Sequence, residues 1–421
     1  MNFRTLRSAG LLAILFAPSI QAQDETGLEL RLSSLERENR ELEERLLQVA
    51  SEIERFQLRD VEPAAEGSEW GLGPAASKVY GREQGLSIGG YGEILFQERA
   101  GMEDVLDALR VVTYFGYKFD ENWVFNSEIE LEHATTGSAS GTTDSAGEAS
   151  VEFAYLDWLH EPGFNLRGGL VLVPMGLVNE NHEPVAFLPA ARPLTEQRIL
   201  PTTWREIGLG AFGDAGGFGY RAYVINGFEG SRFDESGLRG GRQKGSRAAA
   251  DDFAFVGRLD WLDTPGLVAG GSVYFGDSGQ GEDLPGLGTA IAELHVDFEH
   301  GPWTVRALGA MADIDDAAEF NDATGENLAE GLEGWYVELG FDVLSWLDAD
   351  SEQALSPYVR WESIDTQADM PSGFSAAPGQ EEDVLSFGVA YQPISQVIVK
   401  LGYEDHEDEG DQALLLLGYV F

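Results

Sequence analysis

The sequence predicts an all-β protein in which a transmembrane β-barrel of sixteen antiparallel strands follows an N-terminal α-helical coiled coil. Three observations carry this prediction. Apolar and polar residues alternate in sixteen segments between residues 86 and 421. The connections between these segments are alternately short and long, and residues 24–58 carry apolar residues at coiled-coil spacing.

The first 22 residues have the organisation of a secretory signal peptide. Arg4 and Arg7 form a basic start, an apolar stretch follows over residues 9–17, and residues 20–22 offer a small-residue cleavage site. A membrane anchor is the alternative, but the apolar stretch is shorter than the roughly 18 residues that span a bilayer. We therefore expect residues 1–22 to be removed on export.

Residues 24–58 are expected to form a coiled coil in the periplasm. Their apolar residues recur with strict 4-3-4-3 spacing, the pattern of a left-handed supercoil. A single amphipathic helix packed on the barrel is the alternative, but it would carry a wider apolar stripe. Residues 31–36 resemble a pattern of trimeric coiled coils, so we expect a homotrimer specified by Arg31, Leu32, Leu35, Glu36 and Asn39. Residues 59–85 contain glycine and proline without an apolar period, which predicts a linker.

The barrel prediction covers residues 86–421. In its third segment, Ile129 and Leu131 alternate with Glu128 and Glu130, which indicates a strand with one apolar and one charged face. The segments start near residues 86, 105, 122, 148, 164, 203, 217, 251, 265, 289, 302, 332, 354, 383, 395 and 411. Aromatic residues near the segment ends predict belts at the membrane interfaces. They are Trp123, Tyr155, Trp261, Trp303, Trp346 and Tyr419.

The connections favour a barrel in an outer membrane. Short turns such as 119–122 and 161–163 alternate with long polar segments such as 134–147 and 229–250. A soluble β-sandwich array or a propeller is the alternative, but the sequence shows no blade-length repeat. The final residue, Phe421, resembles the C-terminal signal of outer-membrane barrels, which supports the same interpretation.

Composition excludes several functions. With 27 basic and 73 acidic side chains the formal charge is 27 − 73 = −46, so a bound nucleic acid is not expected. Cysteine is absent, which removes disulfides, thiolate metal sites and cysteine nucleophiles. No histidine lies in a nucleophile-elbow pattern, and no carboxylate cluster has the spacing of a zinc or EF-hand site. We therefore expect no enzyme, no metal site and no cofactor.

Charged side chains on the predicted inner face are candidates for the lining of a water-filled channel. A barrel of sixteen strands is wide enough for one, and the arginines of strands five to eight suggest one basic wall. The alternative is that these charges are merely solvated. The candidates are Arg110, Arg167, Arg205, Arg221, Arg258, Arg306, Arg360, Lys400, Glu128, Glu130 and Glu132.

The third long connection, residues 175–202, is richer in proline and apolar residues than the other loops. We expect it to fold into the barrel and to constrict the channel; packing at a trimer interface is the alternative. In the first case it brings five charged or titratable side chains into the bore: Glu180, His182, Glu183, Arg192 and Arg198.

Four stretches resemble the phosphate-selective porin family of Gram-negative outer membranes: residues 87–93 (SIGGYGE), 128–133 (EIELEH), 172–184 (LVPMGLVNENHEP) and 199–210 (ILPTTWREIGLG). The resemblance implies a trimeric sixteen-strand porin with an inward third loop and arginines along the path. The phosphate-specific members carry a Tyr-Arg-Tyr-Ser type loop and many lumen lysines. Here that loop is lacking and the lysines are Lys78, Lys118, Lys244 and Lys400.

The sequence thus predicts a trimeric porin in lipid of the outer membrane that passes small hydrophilic solutes and inorganic ions by passive diffusion. Anion or phosphate selectivity is implied by the resemblance, whereas the surplus of carboxylates favours cations. The alternative is a membrane anchor whose coiled coil tethers the outer membrane to the cell wall, with weak or cation-preferring channel activity.

Overall fold

The computed structural model describes residues 68–136, 147–281, 285–407 and 410–421, together with five isolated residues that are helical: Leu35, Arg37, Arg40, Arg45 and Leu47. Leu35 and Leu47 are exposed. The predicted signal peptide and nearly all of the predicted coiled coil lie outside the described residues, as do four of the predicted trimer determinants: Arg31, Leu32, Glu36 and Asn39. These remain predictions.

Sixteen antiparallel strands form a closed barrel in which every strand pairs with its neighbours in sequence and β1 pairs with β16. The strands are β1 (Gly85–Arg99), β2 (Val105–Lys118), β3 (Trp123–Glu132), β4 (Ala149–Glu161), β5 (Phe164–Leu172), β6 (Arg205–Ala215), β7 (Phe218–Asn226), β8 (Phe253–Trp261), β9 (Leu267–Gly276), β10 (Thr289–His300), β11 (Trp303–Ile314), β12 (Gly331–Phe341), β13 (Ala354–Asp369), β14 (Glu381–Ile394), β15 (Val397–His406) and β16 (Gln412–Val420). This confirms the predicted all-β barrel, and each strand begins within two residues of its predicted start.

Side chains alternate between the two faces of the wall. In β12, Trp335, Val337 and Leu339 are exposed on the outer face, while Tyr336 and Glu338 between them are buried inside. This is the period of two that an extended chain imposes, and it places apolar residues outside and polar residues inside. The outer face is thereby suited to lipid.

The two ends of the barrel differ. At one end, here called the turn end, strands are joined by short segments such as 119–122, 162–163 and 216–217. At the other, the long-loop end, they are joined by segments such as 133–148, 173–204 and 227–252. The first described residues of the barrel unit therefore reach β1 at the turn end.

Three short helices accompany the wall: α1 (Pro74–Ser77), α2 (Ala317–Thr324) and α3 (Val343–Leu347). Single helical turns occur at Pro184–Ala186, Thr195–Ile199, Gly230–Arg232 and Arg239–Gly241. In the described part of the chain, no helix has the length and hydropathy required to cross a membrane.

The aromatic belts are as predicted at most positions. Trp123 and Trp303 project outward at the turn end, and Trp346 of α3 is exposed there too. The prediction was wrong for Tyr155, which is buried inside the barrel with its ring stacked on Phe153. Its hydroxyl is held inside by polar partners, so the residue belongs to the interior rather than to the belt.

The chain terminus lies in the closing pair of strands. Gly90 and Phe421 exchange two backbone hydrogen bonds, of 3.0 Å and 2.9 Å. A Cβ at position 90 would lie 2.7 Å from the tip of the Phe421 ring, so only glycine leaves room for that ring. The last residue therefore completes the wall.

The lipid-facing wall yields a first prediction. Leu294 lies halfway along β10 and is 75% exposed, whereas Leu347 of α3 is 67% exposed but lies at the turn end. Because a charge costs most at the centre of a bilayer, we expect Leu294→Arg to lower the free energy of unfolding in lipid vesicles by about 2–4 kcal/mol.

The matched variant Leu347→Arg should cost about 0–1 kcal/mol, since a long side chain near the interface reaches water. Urea titration of vesicle-inserted protein measures both values. Equal losses for the two variants would contradict a lipid-facing wall.

Candidate functional site: the barrel interior

Seven of the eight cations predicted to line a channel follow the inward alternation of their strands and have their charged groups in the interior, each at most intermediate in exposure. Arg205 is the exception, because it shares the outward parity of Ile207 and Leu209 at the start of β6. Its guanidinium is nevertheless buried, 2.7 Å from the carboxylate of Glu152.

Seven of these cations lie within 4.0 Å of a carboxylate. Arg110 lies 2.8 Å from Glu93 and 3.6 Å from Glu130, and Arg360 lies 3.2 Å from both Glu362 and Glu404. The remaining pairs are Arg167 with Asp157 at 2.8 Å, Arg205 with Glu152, Arg221 with Asp260 at 2.5 Å and with Glu180 at 3.1 Å, Arg258 with Asp260 at 2.8 Å, and Arg306 with Asp297 at 2.8 Å.

The suggestion of one basic wall on strands five to eight was therefore wrong. Each of the four arginines there lies beside a carboxylate: Arg167 and Arg205 beside Asp157 and Glu152 of β4, and Arg221 and Arg258 beside Asp260 of β8, so positive and negative charges are interleaved. The physical reason is the cost of burial: a charge removed from water must be paired or neutralised.

The three predicted acidic lining residues occupy β3. Glu128 is fully buried with its carboxylate 3.2 Å from His182, and Glu130 is buried beside Arg110. Glu132 is half-buried opposite Arg110 in the β2–β3 register. A bulge in β4 at Glu152 adds a further inward carboxylate to this group.

The third connection, residues 173–204, crosses the interior from β5 to the opposite wall. Its backbone carbonyls accept hydrogen bonds from wall cations: Pro189 O from Lys400 Nζ at 3.0 Å and Ala191 O from Arg360 Nη1 at 3.0 Å. Lys400 also lies over the ring of Phe187, 3.7 Å from its centre. On the far side, the Tyr336 hydroxyl donates to the Glu196 carboxylate at 2.7 Å.

The five residues predicted to enter the bore have different roles. Glu180 pairs with Arg221, and Glu183 and His182 are buried. Burial, helped by the nearby Arg192 charge, lowers the pKa of His182 to about 3, so this imidazole is neutral. Arg192 is half-buried, and one of its guanidinium nitrogens has no hydrogen-bond partner among the described residues. Arg198 is half-buried in the turn Thr195–Ile199.

A second segment fills the turn end of the interior. Residues 68–80, here called the plug, contain α1 and bury Leu72, Ala75 and Val79. Trp70 packs edge-on against Phe212 of the wall with ring centres 5.1 Å apart. The plug lies in the region 59–85 that was predicted as a linker, and the structure shows that this part of it is folded and buried.

Glu183 of the third connection clamps the plug. Its carboxylate accepts hydrogen bonds from the backbone N–H groups of Ala75 and Ala76, at 3.0 Å to each. Burial raises the pKa of Glu183 to about 7, and these two hydrogen bonds oppose the rise. The clamp therefore exchanges a proton near neutral pH.

Tyr80 fixes the other end of the plug. Its hydroxyl donates to Asp157 at 2.6 Å and accepts from Arg167 at 3.0 Å, while Arg167 also binds Asp157. Burial and the neighbouring Asp157 charge raise the pKa of Tyr80, so it remains a neutral donor. At the join to β1, Lys118 donates to the Tyr80 carbonyl at 3.0 Å.

The plug and the third connection fill much of the interior and cover cations of the wall: Arg360 is 1% exposed and Lys400 is 0% exposed. A cavity of about 520 Å³ remains at the turn end beside Trp70, Arg221 and Arg306. Another of about 170 Å³ lies beside Arg110 and Arg192. Among the described residues no group of three or more potential ligands has a metal-binding arrangement.

No protein-family model matches the chain. An uncharacterized protein of Aquifex aeolicus (strain VF5) is 38% identical to it over 374 residues, which cover 85% of this chain and 84% of that protein. The chain belongs to the same family as this Aquifex protein.

Solved structures similar to the chain are outer-membrane barrels. OmpF of Salmonella typhi, in complex with daunomycin, has a TM-score of 0.55 and 12% identity over 80% of this chain and 98% of its own. The loop L8 deletion mutant of OmpT, an outer membrane protein of Vibrio cholerae, has a TM-score of 0.51 and 11% identity over 81% of this chain and 100% of its own. These similarities show a porin-like fold for this family.

Sequence reasoning missed the plug because it has no apolar period and is only thirteen residues long, 68–80. A weak signal was present: Pro74 follows Gly73 at the place where a helix begins, a position that proline favours. Trp70 and Leu72 are also unusual in a solvated linker.

The clamp yields a second prediction. The closed state raises the Glu183 pKa from 4.5 to about 7, so it holds the proton more tightly than a state with the plug displaced. Glu183 therefore contributes fully to the stability of the closed state below about pH 4.5, and this contribution is lost as the pH rises through about 7. Because the chain has no cysteine, Leu72→Cys gives a single thiol whose maleimide labelling reports plug displacement.

Relative to an exposed thiol at Ser375→Cys, labelling at position 72 should rise by up to roughly a hundredfold between acidic and mildly alkaline pH. Adding Glu183→Gln should remove most of this rise. A small pH-dependent rise in labelling should remain, because burial and the nearby Asp214 charge also raise the pKa of Glu69 in the plug. An unchanged pH slope in the Glu183→Gln protein would contradict the clamp.

Proposed function

We propose that the protein is a trimeric outer-membrane porin that passes small hydrophilic solutes and ions by passive diffusion. The observation that carries this proposal is the closed wall of sixteen strands, apolar outside and charged inside. Such a wall satisfies its backbone hydrogen bonds in lipid and encloses a polar interior. The predicted signal peptide agrees with export, and the coiled coil is proposed to lie in the periplasm.

In this proposal the described arrangement is the closed state. Solute passage requires the plug to leave the turn end, because the plug and the third connection together fill the interior. Beside the apolar burial of Leu72 and Val79, polar contacts hold the plug, among them the Glu183 clamp, the Tyr80 network and the Arg221 hydrogen bond to the Trp70 carbonyl at 3.1 Å. Hydrogen bonds of this kind can be replaced by hydrogen bonds to water, which suits a reversible closure.

Selectivity has two candidates. The resemblance to phosphate-selective porins implies anion or phosphate preference, and the interior arginines support it. Cation preference is supported by carboxylates that the arginines do not pair, such as Glu196, which accepts a hydrogen bond from the Tyr336 hydroxyl. Acidic side chains of this kind remain after the arginines have been paired.

The second candidate function is an anchor that tethers the outer membrane to the cell wall through the coiled coil. The filled interior favours it, since a barrel that only holds its place in the membrane has no need of an open bore. The two functions differ in one measurable property, which is conductance.

A third prediction tests the channel. In planar bilayers, deletion of residues 68–80 should raise the single-channel conductance several-fold over the full-length protein, because it empties the turn end of the bore. Deletion of residues 24–58, which leaves the plug intact, is the matched control and should not raise the conductance. If neither protein conducts, the anchor function replaces the porin function.

The same bilayers decide the selectivity. The reversal potential under a KCl gradient gives the preferred sign of charge, and phosphate is then titrated in. Anion preference with phosphate block supports a phosphate porin, and cation preference without block shows that the unpaired carboxylates dominate.

A fourth prediction concerns assembly. Deletion of residues 24–58 should weaken the trimer, measured as a larger monomer fraction on native gels, because it removes the proposed trimer determinants. The barrel should keep its heat-resistant mobility as a sign of correct folding. An unaltered trimer would assign residues 24–58 to tethering instead.

A further inference from the structure

A pocket of about 770 Å³ lies at the long-loop end, where the wall has a notch. The pairing of β4 with β5 begins at Ala154 opposite Leu170, so the first residues of β4 rise beyond the end of β5. The loop 227–252 covers this notch. We call the space the rim pocket, and its lining includes Val151, Arg205, Arg232, Arg239, Arg242 and Lys244.

The rim pocket carries positive charge in a chain of net charge −46. Five of its lining side chains are cations. Three of them have a carboxylate within 4.0 Å: Arg205 with Glu152, Arg232 with Glu229 and Lys244 with Glu148. Within the described residues, 5 − 3 = 2 cations therefore remain without a carboxylate at that distance, Arg239 and Arg242.

These two guanidinium groups are fixed in place by backbone carbonyls of the third connection. Arg242 donates to Pro201 O at 3.0 Å and to Thr203 O at 2.8 Å. Arg239 donates to Gln197 O at 2.9 Å and also to Thr202 O. Backbone carbonyls orient a cation without cancelling its charge. Both guanidinium groups are therefore held in place at the pocket and keep their positive charge.

The environment makes these charges costly. Arg242 is only 9% exposed, and burial together with the neighbouring charges of Arg239 and Arg205 lowers its pKa to about 9. Burial and the Arg192 charge lower the pKa of Arg239 to about 10. Arginine stays protonated at neutral pH even so, and an anion placed between the two would relieve the repulsion.

We propose that the rim pocket is a binding site for a dianionic oxyanion group, carried either by a free solute or by the headgroup of a lipid. Two unpaired guanidinium groups match two negative charges, and their forked N–H donors match tetrahedral or planar oxyanions. One lining residue, Val151, lies on the outer face of the wall and is 42% exposed. The pocket therefore opens toward the membrane side of the rim. The site is separate from the bore, so it does not depend on the porin proposal.

The test is calorimetric titration of the full-length protein, refolded in a zwitterionic detergent, with sodium sulfate at constant ionic strength. Sulfate is a dianion at neutral pH and brings no lipid chain. We expect saturable binding that Arg242→Gln weakens by roughly tenfold or more, since it removes a charge-assisted hydrogen bond. Arg247→Gln removes an exposed arginine of the same loop that does not line the pocket, and should leave binding unchanged.

Two further variants protect the test against a misfolded loop. Arg242→Lys keeps the charge but not the forked donors, and should bind sulfate more tightly than Arg242→Gln and less tightly than the unmodified protein. Lys244→Gln removes a cation that already has a carboxylate partner, Glu148 at 3.7 Å, and should weaken binding less than Arg242→Gln while the heat-resistant mobility stays normal. Absence of saturable sulfate binding in the unmodified protein, or equal binding by Arg242→Gln, overturns the proposal.

The source of the anion is decided on protein purified from membranes. If lipid phosphorus copurifies with the unmodified protein and is reduced in Arg242→Gln, the group belongs to a lipid headgroup. If sulfate binds and no phosphorus copurifies, it belongs to a free solute. Conductance plays no part in these measurements, so failure of the porin proposal and failure of the rim pocket are distinguishable.

Discussion

The hydrogen bonding of β1 to β16 is the constraint on which the rest of the structure depends. Without it the sheet would present two unpaired edges, and no group in the hydrocarbon of a bilayer can satisfy them. With it, the strands form a continuous wall, and their alternation sends every second side chain to the inside. The charges that the sequence places at those positions are thereby enclosed together.

Enclosure sets the second requirement, which is that buried charges need partners. The wall supplies many of them across strands, as with Arg306 and Asp297. The third connection inside the barrel supplies others: its Glu180 pairs with Arg221, and its backbone carbonyls accept hydrogen bonds from Arg360 and Lys400. The wall and its contents therefore stabilise each other, and removal of either leaves charges buried without compensation.

The sequence was sufficient for the wall and insufficient for the interior. Strand starts could be predicted because a period of two is a local property, repeated in every segment and reinforced by turn residues. Tyr155 was misplaced because a bulge at Glu152 alters the alternation of β4, and a bulge leaves no clear mark in composition. The inward third connection was predicted from its prolines and apolar residues.

Ion pairs such as Glu152 with Arg205 could not be predicted from the sequence. They join residues that are distant in sequence, and their contact depends on the register of the intervening strands. The plug was missed for a related reason. A segment of thirteen residues, 68–80, gains its structure from surfaces supplied by the barrel rather than from its own pattern. Tertiary packing decides the structure of such segments.

The interleaved ion pairs of the interior also restrict how this family evolves. A substitution that removes one partner leaves the other as an isolated buried charge, at a cost of about 3–5 kcal/mol, which is a large part of the stability of a typical domain. Arg360, with three carboxylates within 4.0 Å, is constrained from several strands at once. We therefore expect homologous sequences to change such positions together, and the lipid face to tolerate single apolar exchanges.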